Sequence, residues 1–241
     1  MQRPTHSDPG EIGELRDITP EVPVRRVSAS AQVHDALRAR IVALDLAPGQ
    51  PLSRAEVSDT YGVSQTPVRE AMQRLSGEGL LRIFPQSKTE VARIDIAHAK
   101  ETQFLRLSLE LEVVRRLATA PERNFIDDID ALIDRQARAF EAGDVEEFTR
   151  FDRAFHRRLH CLIGADALWD LVTARSGHID RLRNLNLPEP GKSASIIELH
   201  RRIAAAIRAG EAAEAEAAVR EHLSGTLKQV EGIRARYPDF F

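Results

Sequence analysis

The sequence predicts a mainly α protein: an N-terminal winged helix-turn-helix followed by a six-helix antiparallel bundle. Three observations carry this. Between Arg54 and Leu75 a short helical stretch, a turn at Gly62 and a second amphipathic stretch follow one another. Two short segments, Leu80–Phe84 and Glu90–Arg93, flank Pro85-Gln86-Ser87-Lys88 and read as a two-stranded wing. From Ile94 onward the chain turns to long Ala/Leu/Arg/Glu-rich segments with short breaks and no strand-like alternation.

In chain order, residues 1–26 are expected to be a disordered tail. The first 24 hold Pro4, Pro9, Pro20 and Pro23 and five acids against two bases, and lack the apolar core of a signal peptide. Residues 27–94 form the expected DNA-binding domain. Its first helix follows from Val33, Leu37, Ile41 and Leu44 at helical spacing, stopped by Ala47-Pro48-Gly49-Gln50-Pro51. The second runs from Arg54 to Tyr61. The third starts where Ser64 can cap, Pro67 lies in the first turn and Val63 and Val68 can form a hydrophobic staple. On it Val68, Ala71, Met72 and Leu75 make the packing face, leaving Gln65, Thr66, Arg69 and Gln73 outside.

Residues 95–241 form the expected helical domain. Breaks at Thr119-Ala120-Pro121, Gly143-Asp144, Gly164-Ala165, Pro188–Gly191 and Gly210-Glu211 delimit helices near 95–118, 122–142, 145–163, 166–186, 193–209 and 211–236. Asp144 with Glu147 three residues on marks one N-terminus.

The net charge of −3 argues against indiscriminate nucleic-acid binding. Residues 25–93 carry +3, and residues 94–241 carry −3. An excess that small calls for two DNA modules side by side, hence a homodimer reading a near-palindromic double-stranded DNA operator. No apolar run approaches ~18 residues, so no membrane partner is expected. The single cysteine, Cys161, excludes an internal disulfide and suits a reducing cytoplasm.

Gln65, Thr66 and Arg69 cluster at the N-terminal end of the third helix, the end that enters the major groove in such modules. Arg54, Arg74 and Lys88 are candidates for phosphate contact. In the bundle, Asp152 and His156 lie one turn apart on one helix, while His200 and His222 sit mid-helix among aliphatic neighbours on two others. One carboxylate and three imidazoles facing inward suit a divalent metal ion, zinc or nickel before magnesium. Protonation of the imidazoles would weaken such a site through about pH 6–5. The bland alternative is that each histidine is a hydrogen-bonded core residue.

The run Gly62-Val63-Ser64-x-Thr66-Pro67-Val68-Arg69-Glu70-Ala71, followed by Leu75, Glu78, Gly79 and Leu80, closely resembles the winged helix of GntR-family transcriptional regulators. The Asp-x-x-x-His of Asp152 and His156, with His200 and the Glu-His-Leu around His222, resembles the metal-binding FadR C-terminal domain of one GntR branch. That resemblance implies the ligand set Asp152, His156, His200 and His222, a small carboxylate-type effector beside the ion, and Arg106 of an Arg-x-x-x-Glu pair with Glu110 as an effector anchor. It also makes His178, within Gly-His-x-Asp-Arg, a candidate to face the effector. His160 has no counterpart and is read as a packing or surface residue. Relatives of this type are mostly repressors released by a metabolite.

Three departures stand out. Gln65 replaces a usual Arg, which moves base preference from guanine toward adenine. No glycine lies between Phe84 and Val91 at the wing tip, and Ala165 stands where Asn commonly follows Gly. Two other readings compete: a metal-dependent hydrolase with an accessory winged helix, and an architectural DNA-binding protein without a ligand. No general base stands beside the four ligands, and neither rival accounts for both the exposed Gln65/Arg69 face and the inward histidines.

Overall fold

The computed structural model describes residues 27–189 and 191–241. The expected tail therefore lies outside the described residues.

Helix α1 (Ala29–Ala43) begins where Ser28 Oγ accepts from the Ala31 amide and ends on Leu44 in the left-handed region. Helix α2 (Arg54–Tyr61) is capped by Ser53, and Gly62 at φ +63° turns the chain into α3 (Gln65–Gly77). The Ser58 hydroxyl pins this corner by donating to the Val63 carbonyl. Ser64 sits at the cap of α3 in extended conformation, but its side chain makes no capping bond. Val68, Ala71, Met72 and Leu75 are buried against Val33, Leu37 and Ile41 of α1, as the spacing requires.

Strands β1 (Leu81–Ile83) and β2 (Thr89–Val91) pair antiparallel, Leu81 opposite Val91 and Ile83 opposite Thr89. The missing wing-tip glycine has a visible cost. Gln86 occupies the left-handed region at φ +56°, which disfavours a residue with a Cβ by roughly 1–2 kcal/mol.

The helical domain comprises α4 (Ile96–Ala118), α5 (Ile126–Glu141), α6 (Val145–Leu162), α7 (Asp166–Arg175), α8 (Gly177–Asn186), α9 (Lys192–Ala209), α10 (Ala212–Lys228) and α11 (Val230–Arg236). A 3-10 turn, Pro238–Phe240, follows. Two of the six expected helices are thus bent.

The 166–186 segment breaks at Ser176. There the Thr173 and Arg175 carbonyls accept from Arg38 Nη2 (2.6 Å) and Thr102 Oγ1 (3.2 Å), and Ser176 Oγ bonds Asp180 (2.6 Å). Gly177 lets the new helix run against the winged helix, since a Cβ there would lie 2.5 Å from Leu80 Cδ2. The 211–236 segment breaks at Gln229, which turns Val230 and Ile233 onto Ile179, Leu182 and Leu185 of α8.

The bundle core gathers Val113, Val114, Ile129, Ile133, Phe155, Leu159, Ile203, Ile207 and Val219 from α4, α5, α6, α9 and α10. A separate apolar cluster joins the two domains and includes Ile94, Leu182 and Ile233. Polar contacts reinforce that joint. Arg181, fully buried, donates to the Ala92 carbonyl (2.6 Å). The Ile94 amide donates to the Phe240 carbonyl (2.7 Å).

Candidate metal centre and nucleic-acid interface

Asp152 and His156 project from one face of α6, His200 from α9 and His222 from α10, and all four are buried. One ligand atom from each lies within 4.8 Å of all the others. His156 Nδ1 donates to Glu110 Oε2 (2.8 Å), because a carboxylate only accepts. His200 Nδ1 donates to Gln136 Oε1 (2.8 Å). Both tautomers are thereby fixed with a bare Nε2 lone pair pointing into the cluster.

His222 Nε2 lies 3.1 Å from His156 Nε2 and 3.3 Å from His200 Nε2. A single proton on His222 satisfies only one of these contacts, so lone pairs are left facing each other. Asp152 Oδ2 accepts from Arg183 Nη2 (2.8 Å), whereas its buried Oδ1 has no hydrogen-bond partner. Three imidazole nitrogens and a bare carboxylate oxygen converging on one point are what a divalent cation requires. The residues fit the ion.

Electrostatics agree. Burial lowers the pKa of all three imidazoles, that of His200 to about 3, so each stands neutral with a lone pair available at neutral pH. Burial alone would raise Asp152, but the Arg183 guanidinium bonded to it holds it well below the usual carboxylate range. Glu110 is likewise held down, against burial, by His156 and Arg106.

Aromatic rings fix the imidazoles. Phe155 stacks on His200 with centroids 4.0 Å apart, and Trp169 lies parallel to His156 at 6.1 Å.

A cavity of about 50 Å³ opens beside the cluster, walled by Arg106, Asp152, Arg183, Asn184, Lys192 and His222 among others. By this measure it has room for about three to five waters, hence for one small ligand. Arg106 pairs through Nε with Glu110 Oε1 (2.6 Å), which leaves Nη2 buried and without a partner. The Arg106–Glu110 pair, one turn apart on α4, is therefore internal and not a solvated surface pair.

His178 is not at this cavity, and its candidacy as an effector contact is corrected here. It occupies the domain joint. Its Nδ1 accepts from the Asp95 amide (2.9 Å) and Arg181 Nη2 (3.0 Å), and its Nε2 donates to the Gly79 carbonyl (3.1 Å). The reason is angular: His178 and Arg183 lie about 140° apart around α8, so only one can face the cavity. His160 is buried, Nδ1 donating to the His156 carbonyl and its ring near Trp169, outside the four converging groups.

Gln136, Arg183 and the orienting role of Glu110 escaped the sequence reading. Their partners lie 31 to 64 residues away, so no local spacing announces them.

In the winged helix, Gln65, Arg69, Arg54 and Lys88 line one groove between α3 and the wing. Thr66 is exposed beside them at the start of α3, and Arg74 is exposed but outside the groove. Lys88 is engaged with Glu90 (2.6 Å) and lies over the Phe84 ring, as does Arg82, an exposed wing cation the sequence reading passed over.

Residues 29–91 match the family model described as bacterial regulatory proteins, gntR family, and residues 101–225 match the FCD domain. A Streptomyces ambofaciens protein, described as an uncharacterized HTH-type transcriptional regulator in an unstable DNA locus, is 38% identical over 205 residues, covering 85% of this chain and 86% of its own. The chain belongs to the GntR family. This GntR protein is also 30% identical over 210 residues to the HTH-type transcriptional repressor RspR of Escherichia coli, covering 87% and 92% of the two chains. The E. coli McbR/YncC structure shares its fold, with a TM-score of 0.71 at 21% identity over 88% of this chain and all of that one. As a GntR protein it is a DNA-binding transcriptional regulator and not an enzyme, which removes the hydrolase reading. Among the described residues no helix is long and apolar enough to cross a membrane.

Proposed function

We propose that this GntR regulator is a cytoplasmic homodimeric repressor whose operator affinity is set by a small carboxylate-type metabolite bound in the α4–α6–α8–α10 cavity. Asp152, His156, His200 and His222 would hold one divalent ion, zinc or nickel first, because imidazole dominates the set. Such an ion supplies charge and open coordination positions for recognition, with no reaction to perform. Arg106 Nη2, buried and unpartnered beside the cluster, is the observation that carries the anion. On the DNA side, Gln65, Thr66 and Arg69 would meet base edges, with Arg54, Arg74 and Lys88 on phosphates. Lys88 must first release Glu90. The repressor sign is supported by the name of RspR.

Elemental analysis of the purified protein tests the centre. Wild type and His160→Ala should each carry about one equivalent of metal, and His200→Ala and His222→Ala should lose it. Full metal in the last two variants would return the cluster to ordinary core histidines. Light scattering and footprinting test the dimer: a stable monomer protecting one unpaired half-site would overturn it.

A further inference from the structure

The cavity has a second cationic wall that the metal cluster does not use. Lys192, at the first position of α9, is half-buried and lines the cavity. Its ammonium is wedged against α10, where a methyl on Gly225 would lie 2.7 Å from Nζ. Gly225 follows the cluster residue His222 by three residues, so Nζ sits about 4.5 Å further along α10, near the same face. Among the described residues no carboxylate is within ion-pair distance of it, and burial together with the neighbouring Arg183 lowers its pKa.

The other basic walls are occupied. Arg183 spans Asp152 (2.8 Å) and Asp180 (3.7 Å), and Arg153 lies 3.7 Å from Asp180. Among the basic side chains, Arg106 Nη2 and Lys192 Nζ are thus the two donors left over, one beside the cluster and one a helical turn away.

We infer that the effector carries two anionic groups, one received by Arg106 Nη2 beside the cluster and the other by Lys192 Nζ, so that the cavity selects a short diacid over a monoacid of equal length. This rests on the anionic-effector reading above. Lys192 is the specificity residue, because it touches only the second group, and a diacid of about four carbons both fits the cavity and spans one helical turn.

Calorimetric titration of zinc-loaded full-length protein with succinate and with butyrate tests this. Succinate should bind at least about tenfold tighter, the scale of one charge-assisted contact. Lys192→Met should bring the ratio close to one by weakening succinate alone, and Lys192→Arg should restore it. Equal binding of both acids by wild type, or an unchanged ratio in Lys192→Met, would overturn the diacid assignment while leaving the anion site standing. Binding of neither acid would overturn the anion site and the diacid assignment together.

Discussion

Asn184 donates from Nδ2 to the Val42 carbonyl across 2.7 Å, and the same residue walls the cavity beside the Asp152, His156, His200 and His222 cluster. A single side chain on α8 therefore touches both the ligand space and the first helix of the DNA-binding domain. Coupling between sites requires an element whose position both of them bias, and α8, in contact with both, is placed to be that element. Asn184→Ala should cost about 1 kcal/mol of stability and shrink the difference in operator affinity between succinate-free and succinate-saturated zinc-loaded protein. Anisotropy titrations in both states check this; an undiminished difference would assign the coupling elsewhere.

Glu110 orients His156 and stands outside the four residues proposed as ligands. Glu110→Gln should keep the geometry but remove the charge behind the imidazole, lowering metal affinity about 10–100-fold while a saturating metal concentration still fills one site. Competition against a chelating dye measures the constant. An affinity within twofold of wild type would show that the Glu110–His156 bond serves packing only.

Acid should loosen the domain joint. Burial and the facing Arg181 and His98 drive His178 down to about 4, with Asp95 and the hydrogen bond to the Gly79 carbonyl opposing. The folded value lies below the unfolded one, so as pH falls the unfolded chain takes up the proton first. Stability from the neutral ring is complete above about pH 6.5 and is lost as pH falls toward 4. Urea midpoints between pH 7 and 4.5 should decline less in His178→Gln than in wild type. The same reasoning lowers the expected pH window for metal loss: buried imidazoles that resist protonation should hold the ion below the pH 6–5 range read from their free values.

Arg69→Ala should weaken operator binding by ~1–3 kcal/mol if the guanidinium reads a base, and Gln65→Arg should move preference toward guanine. Selection from a randomised operator library reads both. Unchanged affinity and unchanged base preference in the two variants would remove α3 from the interface.

The parts legible in the sequence were those with local periodicity. The start of α3 at Gln65 followed from Ser64, Pro67 and the Val68–Leu75 spacing, and the four cluster residues from helical context and resemblance. What stayed hidden depended on contacts distant in sequence. The bend at Ser176 answers to Arg38 and Leu80, more than 90 residues upstream. The displacement of His178 to the joint follows from which side of α8 meets the winged helix, and no property of Gly-His-x-Asp-Arg alone decides that.

Three α8 side chains grip the DNA-binding domain, and each takes hold of a backbone carbonyl: His178 that of Gly79, Arg181 that of Ala92 and Asn184 that of Val42. Because every peptide unit carries a carbonyl, these grips are indifferent to the side chains of the partner domain. The reading head can therefore drift in sequence, and so in operator, without disturbing these three bonds to the helical domain. Transplanting residues 27–94 from another regulator of this fold onto this bundle should preserve those three bonds, provided Gly177 keeps its clearance from the residue at Leu80.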